Sequence, residues 1–249
     1  MVNLIRRFTT AVVVAAIVIS LGVAQAQTWT SFGSKTRYLA MGDSLSAGYG
    51  AMPATHGFAY ELYTTGVIDQ VSNTLFCEMA VPSTVTSDVL NYQVPQVKRF
   101  FAQTNQDYTQ VITLTVGGND MMTVLTGADP NAVLGAVGMN MFQILTQLHT
   151  EFPNARIFVG NVYDPHLDIP NEDVLVMYLN QTIASAVTLA NTVTNSNSVT
   201  VVDVYSAFQG RHGLLLSERP HSDTDQIHPT DAGYHVMAVE FRKAIQGKK

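Results

Sequence analysis

The sequence predicts an α/β protein, a three-layer α/β/α sandwich on a five-stranded parallel sheet, and three observations carry that expectation. Short runs rich in β-branched residues recur along the chain, most of them are apolar at nearly every position, and segments of helical spacing separate them. Near-continuous apolar strands are buried on both faces, as in a parallel sheet covered by helices. Strand and helix in alternation build such a sheet through crossover connections.

The strands are expected at Arg37 to Gly42, Thr74 to Val81, Gln110 to Gly117, Ala155 to Val162 and Ser198 to Val204, each bounded by turn formers. Between them, Val137, Met141, Leu145, Leu148 and Phe152 form one helical stripe, opened by Asp129 as a cap and Pro130 in the first turn. Val176, Leu179, Ile183, Val187 and Ala190 form another. Pro95 falls in the helical segment after Ser83 and is expected to kink or split it. No repeat, low-complexity stretch or linker interrupts the pattern, so residues 27–249 are expected to form one domain.

Residues 1–26 read differently. Arg6 and Arg7 precede an apolar run from Ala11 to Val23, and Ala24-Gln25-Ala26 supplies small residues where a signal peptidase reads. The run is short of the roughly 20 apolar residues that span a bilayer, so a cleaved secretory signal is expected, with no transmembrane segment in the mature chain. The expected location is secreted or periplasmic. The chain carries a formal charge of −6, and cleavage would remove two arginines and no acid. An acidic surface repels phosphate backbones and argues against a nucleic-acid partner. Cys77 is the only cysteine and cannot form a disulfide within the chain; its place in an apolar strand fits a packed thiol.

In a sheet of this kind, ligands bind beyond the carboxyl ends of the strands, where strand order reverses. The loops there carry Gly42-Asp43-Ser44-Leu45-Ser46, Val81-Pro82-Ser83-Thr84, Gly117-Gly118-Asn119-Asp120, Asn161 to Pro165 and the stretch "SDTDQIHPTDAGYHVMA". Ser44 at a helix start would sit in the positive field of free N–H groups, which suits an alkoxide. A serine nucleophile needs a base, and the base an acid to orient it. His228 has Asp225 three residues before it and a rigid Pro229-Thr230-Asp231 turn after it; His235 falls inside the following helix, and His56, His149, His166 and His212 lack such a setting. Asn119 offers a side-chain amide to a developing oxyanion, and the backbone N–H groups of Ser44 and Ser83 could add two donors.

With those blocks in place, the chain resembles the SGNH, or GDSL, hydrolase family of serine esterases. "GDSLSAGYG" is similar to the family's first block, "GGND" to its Gly-x-Asn-Asp block and "DQIHPTDAGYHVMA" to its Asp-x-x-His block. The resemblance implies Ser44 as nucleophile, Asp225 and His228 as acid and base, and Asn119 as oxyanion donor, with no cofactor or metal. Ser83 stands where the family usually has a glycine, and a positive φ there would cost a serine. The expected substrate is a small-molecule or lipid ester with a short-to-medium acyl chain, Met121 and Met122 lining its pocket as flexible apolar side chains. A carbohydrate O-deacetylase and a thioesterase are the alternatives within the resemblance. Two readings of other classes are a metal site at His221, Asp223, Asp225 and His228, and a binding protein that keeps the fold without the chemistry.

Overall fold

The computed structural model describes residues 36–65, 74–102, 109–165, 172–215 and 227–247. The expected signal segment, His166, His221, Asp223 and Asp225 lie outside them.

Five parallel strands form one sheet in the order β2-β1-β3-β4-β5. They are β1 (Thr36–Gly42), β2 (Thr74–Glu78), β3 (Thr109–Thr115), β4 (Ala155–Gly160) and β5 (Val199–Val202). β1 ends at Gly42 as expected, and the other four end two or three residues before their apolar runs suggest. The runs continue through Met79 to Val81 and through Val116, where the chain turns out of the sheet although its residues stay apolar. Met79 and Val81 still donate to the Ala40 and Gly42 carbonyls at 2.8 and 3.0 Å.

Side chains alternate across the sheet with the strand period of two. Leu39, Met41, Ile112, Leu114, Ile157 and Val159 face a core completed by α3 (Val94–Ala102), α5 (Pro130–Glu151) and α6 (Glu172–Val193). Tyr38, Ala40, Val111 and Phe158 face the opposite core, completed by α1 (Phe58–Thr65), α7 (Val204–Phe208) and α8 (Asp231–Gln246). These are the three layers expected. The α5 stripe is buried from Val137 to Leu148, while Phe152 is half-buried at the helix end; Asp129 caps that helix, accepting from Asn131 N–H at 3.0 Å. All five predicted stripe residues of α6 are buried. By length and composition the α6 segment Asp173–Val193 could cross a membrane, which the sequence reading did not foresee, yet its apolar stripe packs into the core.

Pro95 splits its helix as expected, and the break takes a definite form. A short α2 (Thr86–Asp88) opens into a π-helical turn, Val89–Gln93, before α3 resumes. Proline lacks an N–H and clashes with the carbonyl one turn back. The wider turn gives Val94 N–H the Val89 carbonyl instead, and it aims Gln93 at the sheet. Cys77 is half-buried in β2, and burial pushes its thiol up.

Candidate active site

β1 lies between β2 and β3, so the chain leaves β1 on one side and β3 on the other, and a crevice opens between their exits. Ser44 follows β1 and Asn119 follows β3. Gly42 makes the crevice possible. Its φ is +117°, and a Cβ there would stand 1.8 Å from the Thr115 carbonyl oxygen, so only glycine lets the two strands close.

The turn after Gly42 is bolted from both sides. The Gln93 side chain accepts from Gly42 N–H at 2.8 Å and donates to its carbonyl at 2.7 Å. On the other side, Thr115 Oγ1 donates to Asp43 Oδ1 at 2.8 Å and meets Ser46 Oγ at 2.8 Å and Ser46 N–H at 3.1 Å. Asp43 also accepts from Leu45 N–H at 3.0 Å. Burial pushes Asp43 up to about 7, against the pull of the Thr115 and Leu45 hydrogen bonds. Asp43 thus builds the turn.

Residues 44–50 form consecutive turns rather than the regular helix expected, with Ala47 N–H on the Asp43 carbonyl and Tyr49 N–H on the Ser44 carbonyl. Among the described residues the Ser44 N–H has no hydrogen-bond partner and remains available to an oxyanion. The Ser44 side chain is 7% exposed, and His228 Nε2 lies 2.8 Å from its Oγ. His228 is reached through α8: Thr230 caps that helix, accepting from Gly233 N–H, and donates its own N–H to Leu214 O at 2.7 Å. Tyr163, from the loop after β4, donates to the Ile227 carbonyl at 2.6 Å, next to His228.

Asn119 begins α4 (Gly118–Leu125). Its amide donates to the Thr84 carbonyl at 2.9 Å with one N–H, leaving the other for a ligand. Asp120 beside it accepts from Thr86 N–H and Oγ1; burial pushes its carboxyl up, against those bonds. Asn119 and Asp120 together hold the segment that follows Ser83.

A cavity of about 60 Å³ joins these parts, lined by Asp43, Ser44, Leu45, Gly118, Asn119, Met122, Val162, Tyr163, Pro165, Ile227 and His228. Met122 is on its wall. Met121 is not: it packs against the core beside α5. Ser83 is exposed, has φ +66°, and lines a separate depression with Val81, Pro82, Thr84, Asp88, Tyr92 and Gln93. Thr84 N–H on the Val81 carbonyl closes this as a turn with Pro82 and Ser83 at its centre, the geometry that normally recruits glycine at the second central position.

The other histidines are placed elsewhere. His56 pairs with Asp231 and His235 with Glu61, both exposed and both at 3.0 Å, and His149 meets Ser198 at 3.0 Å. His56 therefore has an acid neighbour that the sequence spacing did not reveal. The His212 side chain is outside the description, as is the Asp225 proposed to face His228. Among the described residues no group of three or more His, Cys, Asp or Glu could hold a metal; most of the metal alternative lies outside them.

Sequence reasoning gave no role to Gln93, Thr115 or Tyr49, and it placed Leu45, Val162, Tyr163, Pro165 and Ile227 in the loops of the site without singling them out as its wall. Nothing in the local sequence marks Gln93 or Thr115, because their partners are 51 and 72 residues away.

Comparison with known proteins supports the fold and gives the family. Residues 40–236 match the model of the GDSL-like lipase/acylhydrolase family. The chain is 24% identical over 229 residues to the spore germination lipase LipC of Bacillus licheniformis, covering 85% of this chain and 97% of LipC. Among solved structures it resembles the lipase Lip_vut3 from a goat rumen metagenome, with TM-score 0.60, 22% identity and coverage of 84% and 97%. It also resembles a catalytic mutant of Axe2, an acetylxylan esterase from Geobacillus stearothermophilus, with TM-score 0.58, 18% identity and coverage of 88% and 97%. The match of the family model over most of the chain makes this protein a member of the GDSL-like lipase/acylhydrolase family, and with it a carboxylic ester hydrolase.

Proposed function

We propose that the protein hydrolyses esters of short-to-medium acyl chains outside the cytoplasm, by acyl transfer through Ser44. The observation that carries the reading is the 2.8 Å approach of His228 Nε2 to Ser44 Oγ at the mouth of a small, largely apolar cavity. His228 takes the Ser44 proton as Oγ attacks the ester carbonyl, and Asp225 orients the imidazole. The oxyanion is held by the Ser44 N–H, the Ser83 N–H and the free amide N–H of Asn119. The tetrahedral intermediate collapses, the C–O bond to the alcohol breaks, and the imidazolium returns its proton to the leaving oxygen. Water, deprotonated by His228, then attacks the acyl-serine and releases the acid. The export of the protein rests on residues 1–26 alone.

The cavity limits the acyl group. A water-sized group needs roughly 10–15 Å³ of such space, so about 60 Å³ takes four to six of them, the size of a short chain. That size also favours a second reading, a deacetylase, which the similarity to an acetylxylan esterase supports. Purified protein assayed on p-nitrophenyl acetate, butyrate and hexanoate and on acetyl-xylan separates them. Rates that rise from acetate to butyrate support the aliphatic pocket, and good turnover of acetyl-xylan with poor turnover of butyrate supports the deacetylase. Ser44→Ala should retain its fold while losing both turnover and labelling by a fluorophosphonate probe; labelling retained at another serine would overturn the mechanism.

A further inference from the structure

Tyr49 has no part in the chemistry assigned so far, yet the structure holds it firmly in an exposed place. Its ring is 52% exposed and lies against the His228 imidazole, centroids 4.6 Å apart and planes tilted by 48°. Its N–H donates to the Ser44 carbonyl at 2.9 Å, and its carbonyl accepts from the hydroxyl of Tyr234 on α8 at 2.6 Å. Gly48 and Gly50 on either side have φ of +68° and +84°, so the chain turns sharply on both sides of this one residue. Asp231, the first residue of α8, continues the fastening by accepting from Met52 N–H at 2.9 Å and pairing with His56. Nucleophile loop and histidine loop are thereby tied to one helix. Among the described residues the Tyr49 hydroxyl has no hydrogen-bond partner, so the backbone holds this residue and its contact with His228 is ring to ring.

We propose that Tyr49 is a positioning residue: its ring braces the His228 imidazole with Nε2 towards Ser44 and shares the positive charge that the imidazole gains with the serine proton. The inference rests on the ester-hydrolase reading above. An aromatic face attracts a cation within about 6 Å of its centroid. At 4.6 Å the Tyr49 ring lies within that reach of the charge His228 gains when it takes the serine proton. The titratable groups that share the cavity lining with this histidine are Asp43 from the β1 turn and Tyr163 from the β4 loop, beside the Ser44 hydroxyl; Asp225 and Asp231 stand three residues to either side of it in sequence.

The test compares purified parent, Tyr49→Leu and Tyr49→Phe by NMR titration of the His228 ring protons and by pH–rate profiles with p-nitrophenyl butyrate. Leucine keeps an apolar cover without a π-face. In Tyr49→Leu the imidazole midpoint should move to lower pH by about half a unit, and the plateau kcat should fall about threefold while KM stays put. Tyr49→Phe should restore both. Should Tyr49→Leu fail to fold, Tyr234→Phe frees the Tyr49 carbonyl and should move the midpoint the same way. An unmoved midpoint in the folded variant, or a Phe variant shifted as far as the Leu one, overturns the proposal. Because the titration reads the imidazole without turnover, a parent lacking esterase activity would sink the ester reading separately.

Discussion

Replacing Thr115 by valine tests how the nucleophile turn is held. The two side chains have nearly the same shape, and Thr115 is 3% exposed, so the change removes a hydroxyl and almost nothing else. That hydroxyl has one proton, which goes to Asp43, so the Ser46 hydroxyl and N–H must both donate to it. Thr115→Val leaves two buried Ser46 donors unpaired and strips one partner from the Asp43 carboxyl. At about 1–3 kcal/mol for each unsatisfied buried group, the loss should be about 3–5 kcal/mol, a large share of a typical stability of about 5–15 kcal/mol. The pH dependence gives a second reading. Asp43 is raised from 3.8 to about 7, so between those values the folded protein keeps a proton that the unfolded chain has released. Its contribution is full below about pH 4, declines as pH rises towards 7, and levels off above. Thr115→Val removes a donor to the charged form, so the decline should extend above pH 7; Asp43→Asn should lack it. Urea unfolding at about pH 5, 7 and 8.5 measures both effects. A Thr115→Val protein within about 1 kcal/mol of the parent, with the same pH slope, would refute the argument.

Asn119→Ala should lower kcat by about 10²- to 10³-fold with little change in KM, since its free N–H acts as charge develops on the oxygen; unchanged kcat would remove it from the mechanism. Asp225→Asn should depress turnover far more than Asp223→Asn, and equal losses would mean that another acid orients His228 or that both hold a metal. Ser83→Gly should stabilise the protein by about 0.5–1 kcal/mol, because relief of the left-handed conformation exceeds the extra backbone freedom of glycine in the unfolded chain. A loss of stability in thermal melts would contradict the observed φ of +66°.

Strand identity was legible because the central strands β1, β3 and β4 are buried on both faces and the edge strands β2 and β5 are still mostly apolar, so hydrophobicity marks them. Strand ends were not, because Met79, Val81 and Val116 are as apolar as the residues before them although the chain there turns out of the sheet. In the site, residues within short sequence blocks could be found: Ser44, Asn119 and His228 occupy loops whose neighbours announce them, and the structure brings all three to one cavity. Met121 and Met122 show the limit of that reasoning. They are adjacent, but neighbours on a helix point about 100° apart, so one reaches the cavity and the other the core. Ser83 was legible as a strained position and not as to where it points, since that depends on how far the turn swings from Asn119.

The acids at this site divide by environment rather than by motif. Asp43 and Asp120 stand directly beside Ser44 and Asn119, and proximity in sequence would make either a candidate partner for the base. Both carboxyls are already occupied, Asp43 by Thr115 and Leu45 and Asp120 by Thr86, and burial pushes both up. A carboxyl so raised is a poorer stabiliser of an imidazolium than an ionised one, because its negative charge is what lowers the energy of the charged ring. The two neighbours therefore fix the backbones from which nucleophile and oxyanion donor act. We propose that pairing with His228 is left to an acid on the histidine's own segment, where Asp225 stands three residues before it in sequence.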